Sequence, residues 1–239
     1  MSVYNKIFSD RKQLAFLIDP ENSTHETVKN TVENANQAGV GCILVGGSLV
    51  AGRVDETISM VKEFTDKPVV LFPGSLLQLS AKADAILFLN LVSGRNPEYL
   101  IGNQVIAAPF IRKHNMECIP TAYMLIESGR TTAVEYMSGT KPLPANKADI
   151  IVATAMASEL MGHKAIYLEA GSGALNPISS EIINKVSDSV SIPIIVGGGL
   201  RSSESIERVF NAGGNLAVVG NALQESTSLL EKLIRKNLD

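Results

Sequence analysis

Tryptophan is absent from this chain, and aromatic residues make up only 5% of it. Histidine occurs three times, at His25, His114 and His163, and cysteine twice. With so few soft ligands there is no Cys/His zinc spacing, and neither a P-loop nor a serine nucleophile elbow appears. The histidines fall on predicted helices or helix ends with no serine, cysteine or carboxylate at ligand spacing, so they read as surface or packing residues. Cys42 and Cys118 sit inside apolar runs and read as small core residues in a reducing compartment, not as a disulfide framework. No apolar run reaches the roughly 18 residues that a bilayer span needs. Residues 1–10 contain no apolar signal core. Basic blocks are also missing and the net charge is -3, which argues against nucleic acid as a partner. The expectation is a cytoplasmic protein.

The chain does have apolar mass: 45% of its 239 residues are hydrophobic, enough for one large domain over residues 1–239. Short continuous apolar runs recur at 14–18, 42–45, 69–72, 85–91, 117–126, 165–168, 194–196 and 217–219. Continuous rather than alternating apolarity is the mark of strands buried on both faces, as in parallel sheets. Helical segments separate them. One starts at a capping pair, Ser23 and Glu26, and runs to about residue 38, where Gly39 stops it. Others cover 54–64, 97–114 with Pro97 at the first position, and 149–161; a last one starts at Asn221. Asn176-Pro177 reads as another helix start. The stretch 75–84 is too short for a full crossover helix. The stretch 131–146 reads as a mobile loop, with room for a short extra strand at 133–137. Eight strand–helix alternations at this length predict an α/β fold, a (β/α)8 barrel, over a doubly wound open sheet.

A barrel gathers its chemistry at the C-terminal ends of its strands. The residues expected there are Asp19, Ser48, Pro73, Asn90, Glu127, Glu169, Gly197 to Gly199, and Gly220 with Asn221. Gly197-Gly198-Gly199 after strand seven and Gly220-Asn221 after strand eight suit a phosphate, because glycine lets backbone N–H groups approach an anion and a helix start adds partial positive charge. The plainer alternative is that these glycines make tight turns. Glu169, between an apolar strand and Gly171-Ser172-Gly173, suits a general base acting on a hydroxyl of the bound phosphoester; the alternative is a structural acceptor. Tyr167 is expected to point away from Glu169 or to be offset, within reach of a ligand. Asp19 suits Mg²⁺, with the Ser48 hydroxyl beside it, or else forms a turn with Pro20. Apolar residues near strands three to five are either core or the wall of a hydrocarbon groove.

Several runs together carry a family pattern: Leu17-Ile18-Asp19-Pro20, Gly46-Gly47-Ser48, Phe72-Pro73-Gly74, Asn96-Pro97 with Tyr99-Leu100-Ile101-Gly102, Tyr167 through Gly173, and Val196-Gly197-Gly198-Gly199. In this order they resemble the geranylgeranylglyceryl phosphate synthase family, which includes the bacterial heptaprenylglyceryl phosphate synthases. The resemblance implies a modified (β/α)8 barrel whose third helix is missing or shortened. It also implies Mg²⁺-dependent transfer of a prenyl group from a polyprenyl diphosphate to the 3-hydroxyl of sn-glycerol 1-phosphate. By matching motif it assigns Asp19 and Ser48 to the metal. It assigns Tyr167, Leu168, Glu169, Ala170, Gly171, Ser172, Gly173, Gly198, Gly199, Gly220 and Asn221 to glycerol 1-phosphate. Glu169 would take the hydroxyl proton. Donor length leans to twenty carbons, with heptaprenyl as the alternative. A homo-oligomer (dimer or hexamer, with Tyr99 a candidate interface anchor) and transient membrane contact are also implied. A sugar-phosphate isomerase or aldolase and a non-catalytic prenyl-lipid carrier stay open as rivals, although no lysine stands at the strand ends for an aldolase.

Overall fold

The computed structural model describes residues 1–8, 12–48 and 52–220. Eight parallel strands close into a barrel in sequence order. They are β1 (Gln13–Ile18), β2 (Cys42–Val45), β3 (Val69–Leu71), β4 (Ala85–Leu91), β5 (Glu117–Leu125), β6 (Ala165–Glu169), β7 (Ile194–Gly197) and β8 (Leu216–Val219). The circle closes where β8 pairs with β1, Gln13 beside Leu216. The sequence expectation of continuous apolar strands has its cause here, because alternate residues feed two separate cores. Leu14, Phe16 and Ile18 of β1 face the surrounding helices, while Ala15 faces the barrel interior. The same parity sends Ile166 and Leu168 outward and Ala165 and Tyr167 inward on β6. A strand wanted by both layers cannot alternate polar and apolar residues.

The outer layer comprises α2 (His25–Gln37), α3 (Val54–Phe64), α4 (Asn103–Lys113), α6 (Ala148–Leu160), α7 (Ser180–Ser187) and α8 (Ser203–Asn211); α1 (Val3–Ile7) and α5 (Ala133–Ser138) stand apart from it. The predicted span 54–64 matches α3, and Gly39, at φ 66°, ends α2 as expected. Between β3 and β4 there is only a 3-10 turn, Leu76–Gln78, so the third crossover helix is missing.

Four local expectations need correction. The cap of α2 is Thr24, in a capping box with Thr27, and not Ser23 with Glu26; the Ser23 hydroxyl is spent on the Asp19 carbonyl, 2.7 Å away. Residues 133–138 are helix α5 rather than a strand, because the Thr132 hydroxyl accepts the Glu135 N–H and Gly139, at φ 62°, ends the turn. Helix α7 starts after Ser179, whose side chain caps it, and not at Asn176-Pro177. Cys118 is exposed at the start of β5, whereas Cys42 is buried. The predicted helix from Asn221 lies outside the described residues.

The N-terminal end of the barrel is stoppered by α1. Ile7 is buried in the interior core, and the Glu117 carboxylate accepts the Val3 and Tyr4 N–H groups at 2.6 and 2.8 Å. That leaves the C-terminal end as the open face.

Candidate active site

A cavity of about 570 Å³ opens at the C-terminal ends of the strands. It has two unlike parts. Over β6, β7 and β8 it is lined by Glu169, Ser172, Gly173, Gly198, Gly199 and Gly220. Over β3 to β5 its wall is apolar and includes Phe72, Leu76, Leu79, Leu89, Ala107 and Val134. The second part exists because no helix covers the β3–β4 connection. The groove read as one alternative from the sequence is therefore present, extending away from the glycine loops.

Glu169 ends β6 and points inward, since it is two residues beyond Tyr167 and strand side chains alternate. It is only 6% exposed. The Gly171 N–H donates to its Oε1 at 2.6 Å, and the phenols of Tyr167 and Tyr123, which line the same cavity, favour its charged form. Burial pushes its pKa up to about 7, against the pull of these three groups toward the charged form. The two phenols are held well above the ordinary tyrosine range, first by burial and then by the Glu169 charge. Tyr167 therefore shares a face with Glu169 and lines the cavity, so of the two expected placements, pointing away or offset within reach of a ligand, the first fails on the two-residue strand period. Its ring stacks on Phe72, with centroids 5.0 Å apart and 3° between planes, and Tyr123 tilts against both at 5.9 and 5.3 Å.

Gly198 belongs here for a steric reason. A Cβ at this position would lie 2.6 Å from Glu169 Oε1 and 2.7 Å from the Gly171 nitrogen, and its φ of 84° is one that L side chains rarely adopt. The loop after β7 can lie against the carboxylate only if that residue is glycine.

Across the mouth, Asp19 ends β1. Its carboxyl is held above the usual range by burial, with the Glu21 N–H opposing that shift and the Glu21 charge adding to it. A Cβ on Gly47 would lie 3.0 Å from both Asp19 oxygens, so the missing side chain leaves open space in front of the carboxylate. Ser48 follows directly and also lines the cavity. Gln78, fully buried in the short β3–β4 turn, fastens this rim. Its Oε1 accepts the Gly47 and Gly74 N–H groups at 3.3 and 3.2 Å, and its Nε2 donates to the Gly47 carbonyl at 2.6 Å.

Of the predicted site residues, Asp19, Ser48, Tyr167, Glu169, Ser172, Gly173, Gly198, Gly199 and Gly220 line this one cavity. Gly171 stands just behind it as the donor to Glu169. Leu168 and Ala170 are fully buried in the layer between strands and helices, so only their backbone reaches the site. Asn221 lies outside the described residues. Pro73 lines the cavity, but Asn90 and Glu127 do not. Asn90 faces the helices, donating to the Leu100 carbonyl at 2.6 Å and bonding His163 at 3.0 Å. Glu127 is exposed. Tyr99 also turns to the cavity wall, its hydroxyl donating to the Met137 carbonyl at 3.2 Å. Sequence reasoning missed Tyr123, Gln78 and Arg201. Arg201 is the one cationic side chain among the described residues that line the cavity, and it donates to the Ala174 carbonyl at 3.3 Å. Its signal was its place two residues past the glycine run. Tyr123 depends on the β5–β6 register, which sets it beside Tyr167.

A family model described as the PcrB family matches residues 6–238. The chain belongs to the PcrB family. It is 44% identical to the geranylgeranylglyceryl phosphate synthase of Chitinophaga pinensis, over 97% of this chain and 95% of that one. It is 47% identical to the protein of the same name from Flavobacterium johnsoniae, over 92% and 91%. A crystal structure of (S)-3-O-geranylgeranylglyceryl phosphate synthase from Thermoplasma acidophilum, in complex with its substrate sn-glycerol-1-phosphate, matches with a TM-score of 0.91 at 33% identity, covering 98% of this chain and 96% of that one. Family and barrel agree with what the motifs implied.

Proposed function

We propose that this member of the PcrB family is a prenyltransferase that forms an ether bond between the 3-hydroxyl of sn-glycerol 1-phosphate and C1 of geranylgeranyl diphosphate, releasing diphosphate. The observation that carries this is the placement of Glu169. A single buried carboxylate poised near neutrality stands where a glycine-lined basin meets an apolar arm. The names of the relatives and the ligand of the Thermoplasma enzyme support the same reading.

The residues divide the work. The loops carrying Ser172, Gly173, Gly198, Gly199 and Gly220 receive the phosphate, for which close backbone approach is the requirement. The apolar wall takes the hydrocarbon and excludes water. As the C1–oxygen bond of the donor breaks, its electron pair leaves with diphosphate; the glycerol oxygen forms the new bond to C1, and its proton passes to Glu169. The Gly171 N–H fixes the carboxylate for that transfer, and the two phenols favour its charged form. The stacked rings of Phe72 and Tyr167 add electron-rich surface beside the allylic carbon as it becomes cation-like.

Asp19 and Ser48 fit Mg²⁺. They are hard oxygen donors, the space before Asp19 is kept clear by Gly47, and one carboxylate with substrate phosphate is an ordinary magnesium set. No cluster of three His, Cys, Asp or Glu residues exists among the described residues, which speaks against an all-protein cage. When bound, the ion offsets charge on the departing diphosphate. Charge balance supports it: two acids and one guanidinium are the charged side chains among the described cavity residues, too few cations for a phosphate and a diphosphate.

The test is an assay with labelled sn-glycerol 1-phosphate and a ladder of polyprenyl diphosphates, with and without chelator. Transfer peaking at the twenty-carbon donor, lost with chelator and restored by Mg²⁺, is the expected result. No ether product with any donor overturns the reading. A peak at thirty-five carbons selects the heptaprenyl alternative, which the open lateral arm also suits.

A further inference from the structure

Two arginines meet on the loop that follows β6, and neither has a role in the scheme above. Arg201 is rooted two residues past Gly199, in the loop after β7, and lines the cavity. Its side chain crosses to the loop after β6, where Nη2 donates to the Ala174 carbonyl at 3.3 Å. Arg130 reaches the same loop from the segment after β5. Its Nη2 lies 2.7 Å from where a Gly173 Cβ would stand, so the guanidinium occupies room that only glycine leaves, at a Gly173 φ of 69°. Both arginines are exposed, and no ion pair among the described residues uses either.

Two cations held against adjacent residues, Gly173 and Ala174, repel each other, and no carboxylate among the described ion pairs relieves them. An anion does. The Ala174 bond uses one N–H of Arg201 and leaves the rest of its fork for a second acceptor. The path of the side chain says where that acceptor is. Arg201 starts on one wall of the glycine basin and ends on the other, so it spans the space between Ser172-Gly173 and Gly198-Gly199.

We propose that Arg201 and Arg130 form a two-guanidinium receptor for the phosphate of the acceptor substrate. Arg201 contacts the phosphate oxygens directly, and Arg130 adds its charge from across Gly173. The glycine loops offer backbone N–H groups, which suit any small anion; the guanidinium fork adds a preference for a phosphate monoester. None of the residues that the motifs assign to glycerol 1-phosphate is a cation, so the pair extends that set.

The identity of the ligand rests on the proposed function, so the test reads binding and not transfer. The full chain is titrated by calorimetry with sn-glycerol 1-phosphate and, separately, with inorganic phosphate, at low and high salt. Arg201→Gln should weaken both ligands by roughly 10- to 100-fold, as expected for lost charge-assisted hydrogen bonds. Arg201→Lys should recover part of that loss, because the charge returns without the fork. Arg130→Gln should weaken both by about threefold at low salt and have no effect at high salt, since an exposed charge is screened. Melting of the unliganded variants is followed in parallel and should match wild type. Wild-type chain that binds neither ligand overturns the proposal. So does Arg201→Gln binding within twofold of wild type, and so does a loss that tracks a lowered melting temperature and is not partly restored by lysine. The expected losses in a chain that makes no ether product with any donor keep the receptor and remove the proposed function alone.

Discussion

The two halves of the barrel mouth solve opposite problems. Over β6 to β8 the walls are tight: Gly198 lies against the Glu169 carboxylate, and the Gly171 N–H holds that carboxylate at 2.6 Å. Over β3 to β5 the wall is loose and apolar, and a 3-10 turn stands where a crossover helix belongs. A charged phosphoester needs fixed dipoles at short range, which only close backbone packing supplies. A hydrocarbon chain needs area and tolerates slack. Polar precision and apolar room are thus segregated within one fold, and Glu169 stands at the border.

Three substitutions and one pH dependence test that division, and they are ordered by expected effect. Glu169→Gln is the most severe, lowering kcat by about 10²–10⁴-fold while glycerol 1-phosphate still binds within a fewfold of wild type by calorimetry. Near-normal turnover would end the base assignment. Gly198→Ala comes next, because it puts a methyl group into the carboxylate's space at a positive φ. A stability loss of about 1–3 kcal/mol is expected in denaturant titrations, with the KM for glycerol 1-phosphate rising and that for the donor unchanged. An equal rise in both would mean the two halves are coupled. Leu76→Ser probes the loose half: the donor KM should rise by roughly tenfold and the glycerol phosphate KM stay put, given about 1–3 kcal/mol for such pocket contacts.

The smallest effect is on stability. Burial raises the Glu169 pKa from 4.5 to about 7, so the folded state binds its proton more tightly than the unfolded chain does. That contribution is complete below about pH 4.5 and is lost as pH rises through about 7. Glu169→Gln removes the loss, so the variant should melt a few degrees above wild type at pH 8, at about 2–4 °C per kcal/mol, and the two should converge toward pH 4.5. Equal melting temperatures at pH 8 would show that the groups favouring its charged form fully offset burial.

Much of this is legible in the sequence. The strands betrayed themselves because both faces are buried, and the missing crossover showed as a count of residues between 75 and 84 too small for a helix. Glu169 and the late glycines were legible because strand-tip chemistry is local. What failed is what depends on parity or register. For Tyr167 the sequence leaves pointing away or an offset within reach of a ligand both open, and only strand parity, two residues from Glu169, rules out the first. Tyr123 could not be distinguished from its apolar neighbours until β5 was set beside β6. Asn90 went wrong for the same reason, pointing into the helix layer. Gln78 leaves little local mark, since two of its three bonds cross to Gly47 after β2 and only one stays within its own loop, to Gly74.

The barrel also has an unequal circumference. The β4–β5 edge pairs seven residues, from Ala85 with Glu117 to Leu91 with Tyr123, but β3 meets β4 only through Val70 with Ala85 and Leu71 with Ile86. Parting the cylinder along that line breaks fewer ladder pairs than parting it anywhere else, and the line runs under the apolar arm. The wall beneath the apolar arm is therefore the one held by the fewest cross-strand pairs.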